Sequence, residues 1–137
     1  MNAEKPEIVN KAQVILWGTL AIGVVRSVME FPRLSQQAAP VGGGGFVHFV
    51  TLFTFASMAV LIYLLGKRKN WARWLYVVLF VLGTPLSINP LIQSLSHEPI
   101  SGILGLIQVV AQIVAGIFLF LAPARAWYKK QPQQNTP

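Results

Sequence analysis

Cysteine is absent from the 137 residues, which excludes disulfides, zinc–thiolate sites and thiol catalysis. Charge is scarce too. Only 11% of the residues are Asp, Glu, Lys or Arg, against about a quarter in soluble globular chains. Acidic residues number four, and none falls in the interior of an apolar run. No G-x-G-x-x-G, P-loop, H-E-x-x-H or Ser, His and Asp constellation occurs, and Gly42 to Gly45 lacks the Lys and Ser or Thr of a phosphate cradle. These absences leave no motif for a nucleotide, a metal or covalent catalysis. No cofactor is expected, and the chain reads as a non-enzyme.

What is present is apolar side chains, 54% of the total. A soluble fold of this length would expose far more apolar surface than water tolerates, whereas a bilayer accepts apolar side chains all round a helix. The formal charge of +7 does not point to nucleic acid, because Lys and Arg sit in short clusters beside apolar runs and not as a stripe on one face. They read as orientation signals. A cleaved signal peptide is not expected: Glu4 and Glu7 dilute the basic start, the first apolar run is too long, and no A-x-A site follows.

Four spans are predicted, over about 8–29, 46–65, 71–88 and 100–121, giving an all-α, membrane-spanning four-helix bundle in one domain, residues 1–130. The first run, at about 1.5 Å per residue, reaches about 33 Å and crosses a hydrocarbon core. Pro32-Arg33 and the run Gly42-Gly43-Gly44-Gly45 predict a flexible loop of about 15 residues after it. Gly66 and Lys67-Arg68-Lys69-Asn70 form a tight basic turn between antiparallel neighbours. Pro85 predicts a kink in the third span. Asn89-Pro90 resembles an N-cap followed by proline, which opens a short interfacial helix over Leu91 to Ser96. Glu98-Pro99 is a second start signal, Pro123 closes the fourth span, and residues 131–137 are expected to be disordered.

Nine basic residues (Lys5, Lys11, Lys67, Arg68, Lys69, Arg73, Arg125, Lys129 and Lys130) fall on one side of these spans, and Arg26 and Arg33 on the other. The basic side is cytoplasmic by the positive-inside rule, so both termini are expected inside. Trp71, Trp74, Trp127 and Tyr128 lie with Arg73 and Arg125 at that side, as membrane-interface anchors.

Three groups of polar residues stand out. Arg26 and Glu30, four apart, share a helix face and can pair, and both are near enough to the end of the span to snorkel to water. His48, His97 and Glu98 fall on the same outer side, where with Arg26 and Glu30 they make a possible polar cluster; solvated loop residues are the simpler reading, and no metal site is expected. Ser101, Gly105, Gln108, Gln112 and Gly116 form a stripe of small and hydrogen-bonding residues along the fourth span. Such a stripe lets helices approach closely and amides bond between them, so this face should turn inward or toward a partner.

Lys69-Asn70-Trp71-Ala72-Arg73 before the Leu79 to Pro85 segment, and Pro123-Ala124-Arg125-Ala126-Trp127-Tyr128 at the end, resemble a pattern in small four-helix bacterial inner-membrane proteins of uncharacterised function. The resemblance covers about Phe46 to Tyr128 and leaves out the first loop. It implies a bacterial inner-membrane location and a shared architecture, with no activity to transfer. The functional expectation is a non-enzymatic membrane protein acting through protein contacts, as accessory subunit, assembly partner or immunity-type factor. Its partners are the lipid bilayer and another membrane protein or a second copy of itself. The alternative is a small transporter or channel, and an intramembrane enzyme ranks third.

Overall fold

The computed structural model describes residues 4–129. The tail over 131–137, expected to be disordered, lies outside them. The described residues fold into α1 (Glu7–Gln37), a 3-10 turn (Ala39–Val41), α2 (Gly43–Gly66), α3 (Asn70–His97), α4 (Pro99–Phe120) and α5 (Ala122–Lys129), with no strand among them. α1 through α4 are each long and apolar enough to cross a bilayer. The chain is a multi-pass, all-α membrane protein built as a four-helix bundle. In space, α1 packs on both α2 and α4, and α4 packs on α3; α2 and α3 meet far less, despite their short connection.

Two helices are longer than their apolar runs. At about 1.5 Å per residue α1 and α3 reach about 46 Å and 42 Å, against about 30 Å of hydrocarbon. Pro32 does not end α1, although it removes one backbone hydrogen bond. The turns beyond it are tied to α3 by Arg33 Nη2 donating to Ser94 Oγ at 3.0 Å and Gln37 Nε2 donating to Gln93 Oε1 at 3.3 Å.

The expected flexible loop is therefore corrected to a compact reversal. Gly42 and Gly43 take positive φ angles of 117° and 56°, a conformation glycine adopts without a Cβ penalty. Gly43 to Gly45 then form the first turn of α2. Each helical glycine costs up to about 1 kcal/mol relative to alanine, but the apolar run behind them propagates the helix, and a bilayer leaves its backbone no other partners.

The separate interfacial helix over Leu91 to Ser96 is likewise corrected: these residues are the last turns of a continuous α3, and Asn89 lies inside it. Pro85 and Pro90 are carried within α3. Hydroxyls bond carbonyls around them: Thr84 Oγ1 to Phe80 at 2.6 Å, Ser87 Oγ to Gly83 at 2.6 Å, and Ser94 Oγ to Pro90 at 2.9 Å. Such bonds let a membrane helix tolerate proline. The fourth span ends just before Pro123, as expected, but the helical chain continues beyond it. After an extended Leu121 (φ −66°, ψ 157°) Pro123 falls in the first turn of α5, where proline is favoured because its missing N–H would be unpaired anyway.

The apolar core sits at the end of the bundle that holds the N-terminus and α5. Val9, Leu16, Ile62, Leu65, Tyr76 and Leu119 are buried there with Trp127 and Tyr128. Tyr128 donates its hydroxyl to the Leu65 carbonyl at 2.8 Å, and burial pushes its phenol up to about 12. Toward the opposite end that core gives way to charge.

Candidate functional site

Glu30 is the buried acid of the bundle, 7% exposed. Positions 26, 30 and 33 share one helical face, so α1 places a guanidinium on each side of the carboxylate. Arg26 Nη2 donates to Glu30 Oε1 at 2.7 Å, and Arg33 Nη2 lies 3.4 Å from Oε2. α4 adds Ser101, whose hydroxyl donates to Glu30 Oε1. α3 adds Ser94, whose hydroxyl accepts from Arg33 and lies 3.0 Å from Glu30 Oε1. Arg26 reaches further along α4, its Nε 3.4 Å from Ser101 Oγ and its Nη1 3.4 Å from Gln108 Oε1. At the rim Arg33 Nε faces Glu98 Oε1 at 3.9 Å. Two arginines and two glutamates make the cluster neutral, which burial demands of ionised groups.

Small residues on α4 make room for it. A Cβ added at Gly105 would fall 2.9 Å from Arg26 Cζ and 2.6 Å from Leu91 Cδ1; one added at Gly102 would fall 2.7 Å from the Leu95 backbone. Ser101, Gly105 and Gln108 of the predicted stripe thus meet α1 along with the Arg26–Glu30 pair, and this joins two groups of residues that were separate in the sequence. Gln112 and Gly116 turn instead to α3: the Gln112 carbonyl accepts from Tyr76 Oη at 2.8 Å, and Gly116 lies against the Tyr76 ring.

The outer residues divide. Glu98 joins the cluster. His97 is exposed at the end of α3, and His48 stacks on Phe31 with ring centroids 4.4 Å apart, so neither histidine enters. Among the described residues no group of three His, Cys, Asp or Glu side chains could hold a metal. Arg33 and Ser94 are the members that sequence reasoning missed. Arg33 stands three residues after Glu30, a signal hidden by Pro32, which marks a loop in the sequence; Ser94 falls in the segment that Asn89-Pro90 sets apart as a surface helix.

What this arrangement does chemically is lock three helices together. Glu30 accepts from Arg26 and Ser101 through Oε1, which also lies within reach of Ser94, and its Oε2 is held in an ion pair with Arg33. The loosest part is the rim, where Arg33 Nε and Nη1 and Glu98 Oε2 are buried without a hydrogen bond.

At the opposite end the expected anchors also divide. Trp71, Trp74 and Arg125 are exposed. Arg73 is only 4% exposed: it donates to the Leu119 carbonyl at 3.3 Å, with its guanidinium 4.5 Å from the Phe120 ring centroid and 5.1 Å from that of Tyr128. Trp127 and Tyr128 belong to the core. Between the two ends a cavity of about 480 Å³ opens where α2 and α3 diverge, with α4 behind it.

No protein-family model, curated protein or solved structure matches this chain. The functional reading therefore rests on the chain's own residues.

Proposed function

We propose that this is a non-enzymatic integral membrane protein that acts through protein contacts inside the bilayer, as an accessory subunit, assembly partner or immunity-type factor. The observation that carries this reading is the exposure of α2. Its buried residues are Leu61, Ile62 and Leu65, all in its last two turns. The preceding length presents Phe46, Phe49 and Phe53, at spacings of three and four, with exposures of 47%, 69% and 66%. Phe49 and Phe53 stack at 6.2 Å. A partner's helix finds there a ridge of aromatic rings that the bundle leaves uncovered, and packing is what drives helix association in lipid. Lipid alone can cover an apolar ridge, so the decisive test is direct. A photoreactive amino acid at Phe49, activated in native membranes, should yield one discrete protein adduct; lipid adducts alone would sink the proposal.

The bacterial inner membrane is the location that goes with this reading, with both termini in the cytoplasm. Nine of the eleven Lys and Arg residues support that orientation. Because the chain has no cysteine, single cysteines report topology cleanly. One at Gln36 should react with a membrane-impermeant maleimide in intact cells and one at Lys69 only after lysis; the reverse pattern would invert the topology.

A second reading, a small transporter or channel, is favoured by the buried charges of Arg26 and Glu30 and their reach to Gln108. If flux is the function, Glu30→Gln and Gln108→Leu should abolish it. A flux that survives both changes removes this reading.

A further inference from the structure

We infer that the cleft between α2 and α3 is a binding site for a neutral, lipid-soluble molecule that carries one hydrogen-bonding head group, such as a hydroxyl or carbonyl. Thr54 and Ser57 lie near the midpoint of α2, Gly83 near that of α3 and Gln112 just past that of α4. The cleft is therefore at the depth where a bilayer holds least water. Its volume of about 480 Å³ is within the range of about 300–1,000 Å³ typical of small-molecule sites. The cleft is too small to enclose a transmembrane helix, about 10 Å across and 30 Å long, and shares with the ridge proposed for a partner's helix only Phe53, at that ridge's edge.

The chemistry of the walls selects the ligand. None of the lining residues is Lys, Arg, His, Asp or Glu, so an ion would lose its hydration with nothing in exchange. Rings and aliphatic groups dominate the lining, and its polar groups fall into two sets. The hydroxyls of Tyr76, Thr84 and Ser87 donate to the carbonyls of Gln112, Phe80 and Gly83. Thr54, Ser57 and the Gln112 carboxamide make no side-chain hydrogen bond among the described residues. Thr54 and Ser57, exposed to the cleft, and the half-buried Gln112 thus present polar groups at a depth where the bilayer itself supplies few partners. A head group with one donor or acceptor supplies one, while its apolar remainder lies on the aromatic wall.

Gly83 provides the control. No atom lies within 4 Å of a Cβ built there, and Gly83 lines the cleft, so Gly83→Phe has room for its first side-chain atom and directs a ring into the cleft.

The test uses the full chain in nanodiscs of zwitterionic lipid, with a diazirine-bearing long-chain alcohol as probe and peptide mapping of the adducts. Labelling should be saturable, confined to peptides around Thr54, Gly83 and Gln112, and competed by the unlabelled alcohol. The alkyl phosphate and alkyl ammonium of the same chain length should not compete. Gly83→Phe should abolish the saturable signal, and Gln112→Leu should weaken it about fivefold, as expected for one lost hydrogen bond. Labelling spread evenly along the helices, competition by the charged analogues, or unchanged labelling in Gly83→Phe would each overturn the assignment. A partner-protein adduct at the cleft in native membranes would also overturn it, by giving the cleft to a protein helix.

Discussion

Replacing Glu30 with alanine is expected to destabilise the bundle by about 3–5 kcal/mol, the range for removing one partner of a buried ion pair. The reason is what stays behind. Arg26 and Arg33 have side-chain exposures of 19% and 18%, and without Glu30 they face each other across the α1–α3–α4 junction with only Glu98 at the rim as counter-charge. The hydrogen bonds alone do not account for such an effect, since interhelical hydrogen bonds in membrane proteins average about 0.6 kcal/mol. Ser94→Ala and Ser101→Ala should therefore each cost about that much. Glu30→Gln keeps an oxygen for both hydroxyls but loses the charge, and should remain close to the alanine variant. Reversible unfolding in mixed micelles, read by circular dichroism, separates these outcomes. A Glu30→Ala protein within about 0.5 kcal/mol of wild type would show that the cluster is solvated and that the guanidiniums reach water.

Gly102→Ala is expected to have the second largest effect, about 1–3 kcal/mol from overpacking. The added methyl would lie 2.7 Å from Leu95 Cα and N, and backbone inside the last turn of α3 cannot move aside as a side-chain tip can. The corner between α3 and α4 has to open, and opening it draws Ser94 and Ser101 away from Glu30. Gly105→Ala meets side-chain atoms instead, Leu91 Cδ1 at 2.6 Å and Arg26 Cζ at 2.9 Å, and should cost less. Gly18→Ala meets nothing within 4 Å and should stabilise α1 by up to about 1 kcal/mol through helix propensity. The same unfolding assay orders all three. Equal effects at Gly102 and Gly18 would contradict the close approach at the corner.

The parts legible in the sequence are those governed by local periodicity. Long apolar runs located four spans, and the i, i+4 spacing of Arg26 and Glu30 marked a pair. The stripe on α4 was legible for the same reason. Where punctuation residues competed with long-range contacts, the contacts prevailed: Pro32 and Pro90 lie inside helices, and Gly43 to Gly45 begin one. α5 went unread because Pro123 looks like a stop in isolation and becomes a first-turn residue only once Trp127 and Tyr128 have a core to enter. The meeting of the Arg26–Glu30 pair with Ser101 and Gln108 depends on α1 lying against α4. No spacing within either helix reveals that neighbour relation, and Ser94 became visible only with α3 continuous to His97.

The central claim, that this membrane protein works through a protein partner, is tested most directly by its mass in a mild-detergent extract of native membranes. A tagged full-length chain, purified at low detergent and weighed intact with peptide identification of its companions, should carry a second membrane protein in fixed stoichiometry. Recovery of the 137-residue chain alone, as a monomer, would contradict the claim.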